Sequence, residues 1–183
     1  MSHRRTGAIV VALLVALGLL AGCSGGPQST AAKAIQVFQP ADRKAAPDLT
    51  GDLLDGTGSF RLADHAGEVV VINFWASWCG PCVAEAADLE ATYLATKDSK
   101  VTFLGINTND ERDPAKSFLV GRSTYPNVFD PSGRLSLGFA VAPTAIPSTV
   151  VVDRSGRIAA VARTAVVRED LEPVVTTLAA ESS

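Results

Sequence analysis

The sequence predicts an α/β domain, and three observations carry that prediction. Short apolar, β-branched runs alternate with stretches of helical periodicity, turn residues mark each change of pattern, and the last two apolar runs are joined by a tight Arg154-Ser155-Gly156 turn. Strands alternating with helices imply parallel pairing, and the late hairpin adds antiparallel strands.

The elements follow in chain order. Ile35-Gln36-Val37-Phe38 has the composition of a short strand, while Pro40 and Pro47 argue against a helix across Ala31–Ala46. The domain proper is placed from Pro47. Asp48–Leu54 and Ser59–Leu62 flank Asp55-Gly56-Thr57-Gly58, which reads as a β-hairpin turn. Val69–Trp75 is a central strand, Cys79–Thr96 a helix, and Val101–Asn107 the next strand. Asp113-Pro114 opens a helix to about Val120, with proline at its first position. Asn127–Asp130 is a short strand and Arg134–Ala140 a short helix. Ser148–Asp153 and Arg157–Ala162 form the late hairpin, and Arg168–Ala180 closes the chain as an amphipathic helix. There is no internal repeat.

Ahead of this domain lies a targeting segment. Arg4 and Arg5 precede an apolar run, Ala8–Ala21, that is too short for a comfortable membrane span. It ends in Leu20-Ala21-Gly22-Cys23, which resembles a bacterial lipobox, whose cysteine is lipidated and becomes the mature N-terminus. Residues 1–22 are therefore read as a lipoprotein signal peptide, 23–46 as a lipidated tether with a flexible Ser24–Thr30 stretch, and 47–183 as the domain. The competing reading is an uncleaved signal anchor with an incidental Cys23. Arg4-Arg5 is a weak mark of twin-arginine export, because Thr6 and Gly7 follow where apolar residues belong.

Of the three cysteines, lipidation of Cys23 would leave only Cys79 and Cys82 as thiols. Two cysteines are too few for a structural disulfide framework in an exported domain. A formal charge of −3 with no basic stripe excludes nucleic acid as a natural partner.

The chemistry gathers where the central strand empties into Cys79-Gly80-Pro81-Cys82. The following helix presents unpaired N–H groups and partial positive charge at its first turn, and both favour a thiolate at Cys79. Cys79 is then the nucleophile, and Cys82, one turn deeper, resolves the mixed disulfide. Half of a zinc site is the competing reading. It requires four ligands, and the sequence has no second CxxC; its only histidines are His3 and His65.

Phe74-Trp75-Ala76-Ser77-Trp78-Cys79-Gly80-Pro81-Cys82 resembles the active-site corner of the thioredoxin superfamily. Asn73 and Glu85 place the resemblance with its extracytoplasmic ResA/TlpA branch. Gly105-Ile106-Asn107-Thr108, Tyr125-Pro126-Asn127 with Asp130-Pro131-Ser132-Gly133, and Ala145-Ile146-Pro147-Ser148-Thr149 through Arg157 are similar to actinobacterial members. The resemblance covers most of the chain after about Ala46. It implies a thioredoxin-like fold with an N-terminal β-hairpin and a central insertion.

The resemblance also implies that Pro147 is cis and faces the dithiol, leaving the backbone of Ile146 to pair with an extended substrate. An ordinary trans loop proline is the alternative, with Pro143 read as loop chemistry. Glu85 follows Cys82 at i+3 and so shares its helix face, where a carboxylate can relay protons to and from Cys82. The alternative is a solvated acid favoured by the helix dipole. Asn73 stands where cytosolic relatives carry a buried aspartate, and Ala87 stands where many relatives have a kinking proline, which predicts a straighter helix. Trp78 offers a flat surface to a partner and Trp75 belongs to the core. His65 is expected to cap or solvate a loop, and Asn109-Asp110-Glu111-Arg112-Asp113 to form a solvated loop and helix start.

The resulting expectation is a lipid-anchored, extracytoplasmic thiol–disulfide oxidoreductase that needs no cofactor and acts on protein thiols and disulfides. By resemblance, its substrate is the CxxCH site of apocytochrome c, and a membrane thiol transporter returns the electrons. Gly80-Pro81 is the thioredoxin-like dipeptide and favours reduction over donation of a disulfide to exported proteins. A peroxiredoxin-type peroxidase would need a hydroxyl residue three before the reactive cysteine and a proline further upstream, where Ala76 and Ile72 stand. A non-catalytic binding lipoprotein is disfavoured by the intact cysteine pair.

Overall fold

The computed structural model describes residues 35–181; the expected signal peptide and Cys23 lie outside them. At the centre is β5 (Val69–Trp75), all of whose residues are buried. It pairs in parallel with β6 (Val101–Thr108), which in turn pairs in parallel with β7 (Asn127–Asp130). On its other side β5 pairs antiparallel with β8 (Ser148–Val152), and β8 with β9 (Arg157–Ala162). The outer edge of β9 is covered by β1 (Ile35–Val37) and β2 (Lys44–Ala45), both antiparallel. A separate hairpin joins β3 (Thr50–Asp52) to β4 (Ser59–Arg61). Among the described residues four α-helices flank the sheet: α1 (Gly80–Thr96), α2 (Arg112–Leu119), α3 (Arg134–Gly138) and α4 (Arg168–Ala180).

The period-2 alternation of β5 divides the core between the two faces of the sheet. Val69 and Val71 enter a cluster with Leu89 of α1 and with Leu171, Val175 and Leu178 of α4. Val70, Ile72 and Phe74 enter the opposite cluster with Leu104, Ile106, Val150, Val152, Phe139 and the hairpin's Phe60. Burial on both faces is why β5 reads as a continuous apolar run. Asn73, the one polar residue in that run, falls on the parity of Val69 and Val71 and so faces α1.

Three boundaries differ from the sequence expectation. The sheet takes in residues upstream of Pro47: β1 and β2 lie within the stretch read as a tether and cover an edge that β9 would otherwise expose. Arg43 locks them down, donating from Nη1 to Asp153 (3.1 Å) and from both Nη groups to Glu181 just past α4 (2.5 and 2.8 Å). Second, α2 starts at Arg112 with Glu111 at the N-cap, so Pro114 is third in the helix, where its missing N–H still costs no intrahelical bond. Third, α3 stops at Gly138, after which Phe139 is buried and Ala140 takes a left-handed conformation. Between β6 and β8, residues 109–147 carry α2, β7 and α3.

Candidate active site

The chain leaves β5 through Ala76 and a turn closed by the Cys79 N–H donating to the Ala76 carbonyl (3.2 Å), with Ser77 and Trp78 as its central residues. The turn ends with Cys79 in extended conformation at the N-cap of α1, its Sγ accepting the Cys82 N–H at 3.2 Å. Pro81 occupies the first turn, where no N–H is needed. Cys79 and Cys82 are joined by a disulfide with Cα atoms 5.2 Å apart. Cysteine has taken the capping position usually held by serine or aspartate, so its sulfur faces the N–H groups of the first turn. In this oxidised form the residues are only 4 % and 2 % exposed, so position rather than exposure distinguishes them. Cys79 is the cap, and Cys82 lies one turn inside.

Register brings the second anchor to the same corner. Ser148, the first residue of β8, pairs with Phe74, next to the end of β5. The preceding Ile146–Pro147 bond is cis, and Ile146 packs against the apolar cluster that contains both cysteines. Leu54, from the end of the N-terminal hairpin, belongs to that cluster and is 1 % exposed.

Glu85 is buried rather than solvated. Its Oε1 accepts from Asn73 Nδ2 (2.8 Å) and its Oε2 from the Val166 N–H (2.9 Å) in the loop before α4, while Asn73 Nδ2 also reaches Thr149 Oγ1 (3.1 Å). Burial pushes the carboxyl up to about 7, against the opposing pull of the Val166 N–H and the Asn73 amide. Every hydrogen bond to it comes from a neutral group, so it titrates near neutrality on the helix face that carries Cys82.

The two tryptophans divide as expected. Trp78 is 56 % exposed, and its indole N–H donates to the Asn109 carbonyl at 2.9 Å. Trp75 is buried, stacks on Phe118 with ring centroids 4.8 Å apart, and donates to Asn127 Oδ1 at 2.9 Å. Gly105 makes room for that bond, since a Cβ there would stand 1.8 Å from Asn127 Oδ1 and 2.9 Å from Trp75 Nε1. His65 stacks on Phe60 and lies 3.0 Å from Glu68, away from the dithiol.

The acidic loop is where the sequence reading fell short. Asp110 is not simply solvated: it accepts from the Ser77 N–H (2.6 Å), Ser77 Oγ (2.9 Å), Asn107 Nδ2 (2.8 Å) and the Glu111 N–H (2.8 Å). Burial works to raise this carboxyl, but the donors of Asn107, Ser77 and Glu111 together hold it below its ordinary range. The signal was available in the pairing. With Trp75 opposite Asn107 in a parallel ladder, the residues that follow β5 and β6 must emerge side by side.

Residues 43–161 match the AhpC/TSA family. The chain is 36 % identical over 118 residues to the thiol:disulfide interchange protein HelX of Rhodobacter capsulatus, an alignment spanning 63 % of this chain and 64 % of HelX. It is 28 % identical over 166 residues to the thiol-disulfide oxidoreductase ResA of Geobacillus kaustophilus, spanning 90 % and 89 % of the two chains. Among solved structures it is similar to a secreted thiol-disulfide isomerase from Corynebacterium glutamicum, with a TM-score of 0.76 and 33 % identity over 84 % of this chain and 96 % of that one. The chain belongs to the AhpC/TSA family and is a thiol–disulfide oxidoreductase of the ResA/DsbE type.

Proposed function

We propose that this protein is a lipid-anchored, extracytoplasmic reductase of protein disulfides, with the CxxCH site of apocytochrome c as its substrate. The observation that carries the reading is the Cys79–Cys82 pair at the mouth of α1, beside the cis Ile146–Pro147 bond. Export and anchoring rest on the apolar leader and the Cys23 lipobox, outside the described residues, and on the secreted relative. A membrane thiol transporter would return the electrons.

In the proposed cycle the Cys79 thiolate, stabilised by the first-turn N–H groups, attacks a substrate disulfide. One substrate thiolate leaves and a mixed disulfide remains. Cys82 then attacks Cys79 Sγ, re-forming the internal disulfide and releasing the second substrate thiol. Two electrons have passed to the substrate, and each released thiolate takes up one proton. Glu85, titrating near 7 one turn beyond Cys82, accepts the Cys82 proton as that attack begins. Trp78 and the backbone of Ile146 receive the substrate chain.

A second reading, oxidation or isomerisation of exported proteins, is favoured by the isomerase name of the Corynebacterium glutamicum relative. The peroxidase reading lacks its hydroxyl group, because Ala76 stands three residues before Cys79.

The test is turnover of insulin and of a disulfide-bonded CxxCH peptide by the reduced protein, alongside refolding of a scrambled multi-disulfide substrate. Reduction of the peptide, lost in Cys79→Ser, is the expected result. Refolding of the scrambled substrate without net reduction would favour the isomerase instead. Cys82→Ser should trap partners covalently while Cys79→Ser traps almost none; equal trapping would overturn the assigned roles.

A further inference from the structure

The two residues leading into Cys79 are gripped by a loop that the chemistry above does not use. Ser77 and Trp78 are the centre of a turn whose own closure is a single 3.2 Å hydrogen bond from the Cys79 N–H to the Ala76 carbonyl. Both are held from the segment after β6. Asp110 takes the backbone N–H and the hydroxyl of Ser77 (2.6 and 2.9 Å), and the Asn109 carbonyl takes the Trp78 indole N–H (2.9 Å).

The grip is itself anchored. The same carboxylate accepts from Asn107 at the end of β6 and from the Glu111 N–H at the start of α2. Four accepted bonds fill the lone-pair positions of an ionised carboxylate. The neighbouring cation, Arg112, is engaged elsewhere: it donates to the Leu54 carbonyl at 2.7 Å and lies over the Phe129 ring. Asn109 has φ +51°, a left-handed conformation that asparagine tolerates better than most residues.

We propose that Asp110 is the positioning residue of the dithiol, fixing Trp78 as a docking face for a polypeptide substrate and setting the aim of Cys79. This deepens the reductase reading and rests on it. A small disulfide can approach a cysteine sulfur from many directions. A protein disulfide must lie against Trp78 and Ile146 while its sulfur lines up with Cys79. Releasing the turn therefore penalises the protein substrate far more than the small one, whereas a loss of general stability would penalise both alike.

The experiment is single-turnover oxidation of the pre-reduced full chain, with insulin as the protein disulfide and dithiobis(nitrobenzoate) as the small one. Asp110→Ala should slow reaction with insulin about tenfold or more, since small misplacements of reacting groups carry penalties of that order. Reaction with the small disulfide should slow less than about threefold, as expected for one modest interaction. Asp110→Asn, which retains an oxygen for the Ser77 N–H, should recover part of the insulin rate. Equal losses on both disulfides, or none on either, would overturn the proposal. If Asp110→Ala does not fold, Ser77→Ala removes only the hydroxyl bond. It should lower the insulin-to-small-disulfide ratio about twofold to threefold, and an unchanged ratio would equally overturn the proposal. Failure of the wild type to reduce insulin would instead overturn the reductase reading itself.

Discussion

Glu85 and the Arg43 clasp are two ways of burying charge in one small domain. Arg43, with its side chain 5 % exposed, sits between Asp153 and Glu181, and the pairing satisfies opposite charges directly. Its hydrogen bonds to Glu181 hold the Glu181 carboxyl below its ordinary range. Glu85 is as deeply buried but has only neutral donors, and burial carries it up to about 7. The guanidinium favours the charged form of Glu181; the amide and the backbone N–H leave Glu85 free to change charge. The first arrangement suits a clasp and the second suits proton transfer, and only the second lies on the helix that carries Cys82, one turn beyond it.

Removing Arg43 should give the largest stability effect. Arg43→Ala leaves Asp153 buried without its cation and releases β1 and β2 from the end of α4. Breaking a buried pair from one side costs about 3–5 kcal/mol, and the partial exposure of Glu181 argues for the lower end. Urea unfolding measures the loss. The rate of insulin reduction per folded molecule should stay unchanged; a fall in that rate would show that the two regions are coupled.

The pH dependence of stability sharpens the contrast, because the two sites carry opposite signs. Glu85 has its folded value raised from 4.5 to about 7, so the folded state binds the proton more tightly and loses stability as pH rises between those values. At about 1.4 kcal/mol per pH unit, this amounts to about 3 kcal/mol across the window. Glu181 is depressed, so its contribution is present above its unfolded value and is lost as pH falls through the folded one. Glu85→Gln should flatten the decline between pH 4.5 and 7 and leave the acid limb below it in place. Parallel curves for variant and wild type would remove Glu85 as the source of the slope.

Local chemistry was legible in the sequence, and long-range partners were not. Cys79-Gly80-Pro81-Cys82 at a strand-to-helix corner could be read directly, because strand, cap and cysteines are contiguous. Val69–Trp75, Asn127–Asp130, Arg157–Ala162 and Arg168–Ala180 matched their patterns for the same reason. Glu85 was located by its spacing from Cys82, but its partners lie 12 and 81 residues away in sequence, and no periodicity reports a backbone N–H such as that of Val166. Asp110 looked like any acid in a polar loop, since its role comes from the parallel register of β5 and β6. β1 was legible as the short apolar run from Ile35, but β2 has only two residues and carries no pattern, and Arg43 is one basic residue until β9 and α4 are placed around it.

The smallest expected effect is the most direct test of whether Glu85 communicates with the thiols. Replacing Glu85 with Gln removes a charge that, above about pH 7, opposes formation of a thiolate nearby. The apparent thiol pKa values, read from pH-dependent alkylation of the reduced protein, should fall by about one unit, equivalent to about 1.4 kcal/mol. The profile should also lose the inflection contributed by the carboxyl, because coupled groups titrate as a set. Arg43→Ala supplies the matched control from the other site: it alters a buried charge far from the cysteines and should leave the alkylation profile in place. If Glu85→Gln overlays the wild type within about a few tenths of a unit, as a screened and distant charge would, the carboxyl is a structural tie between Asn73 and Val166. The candidate site then reduces to Cys79, Cys82 and the Ile146–Pro147 edge.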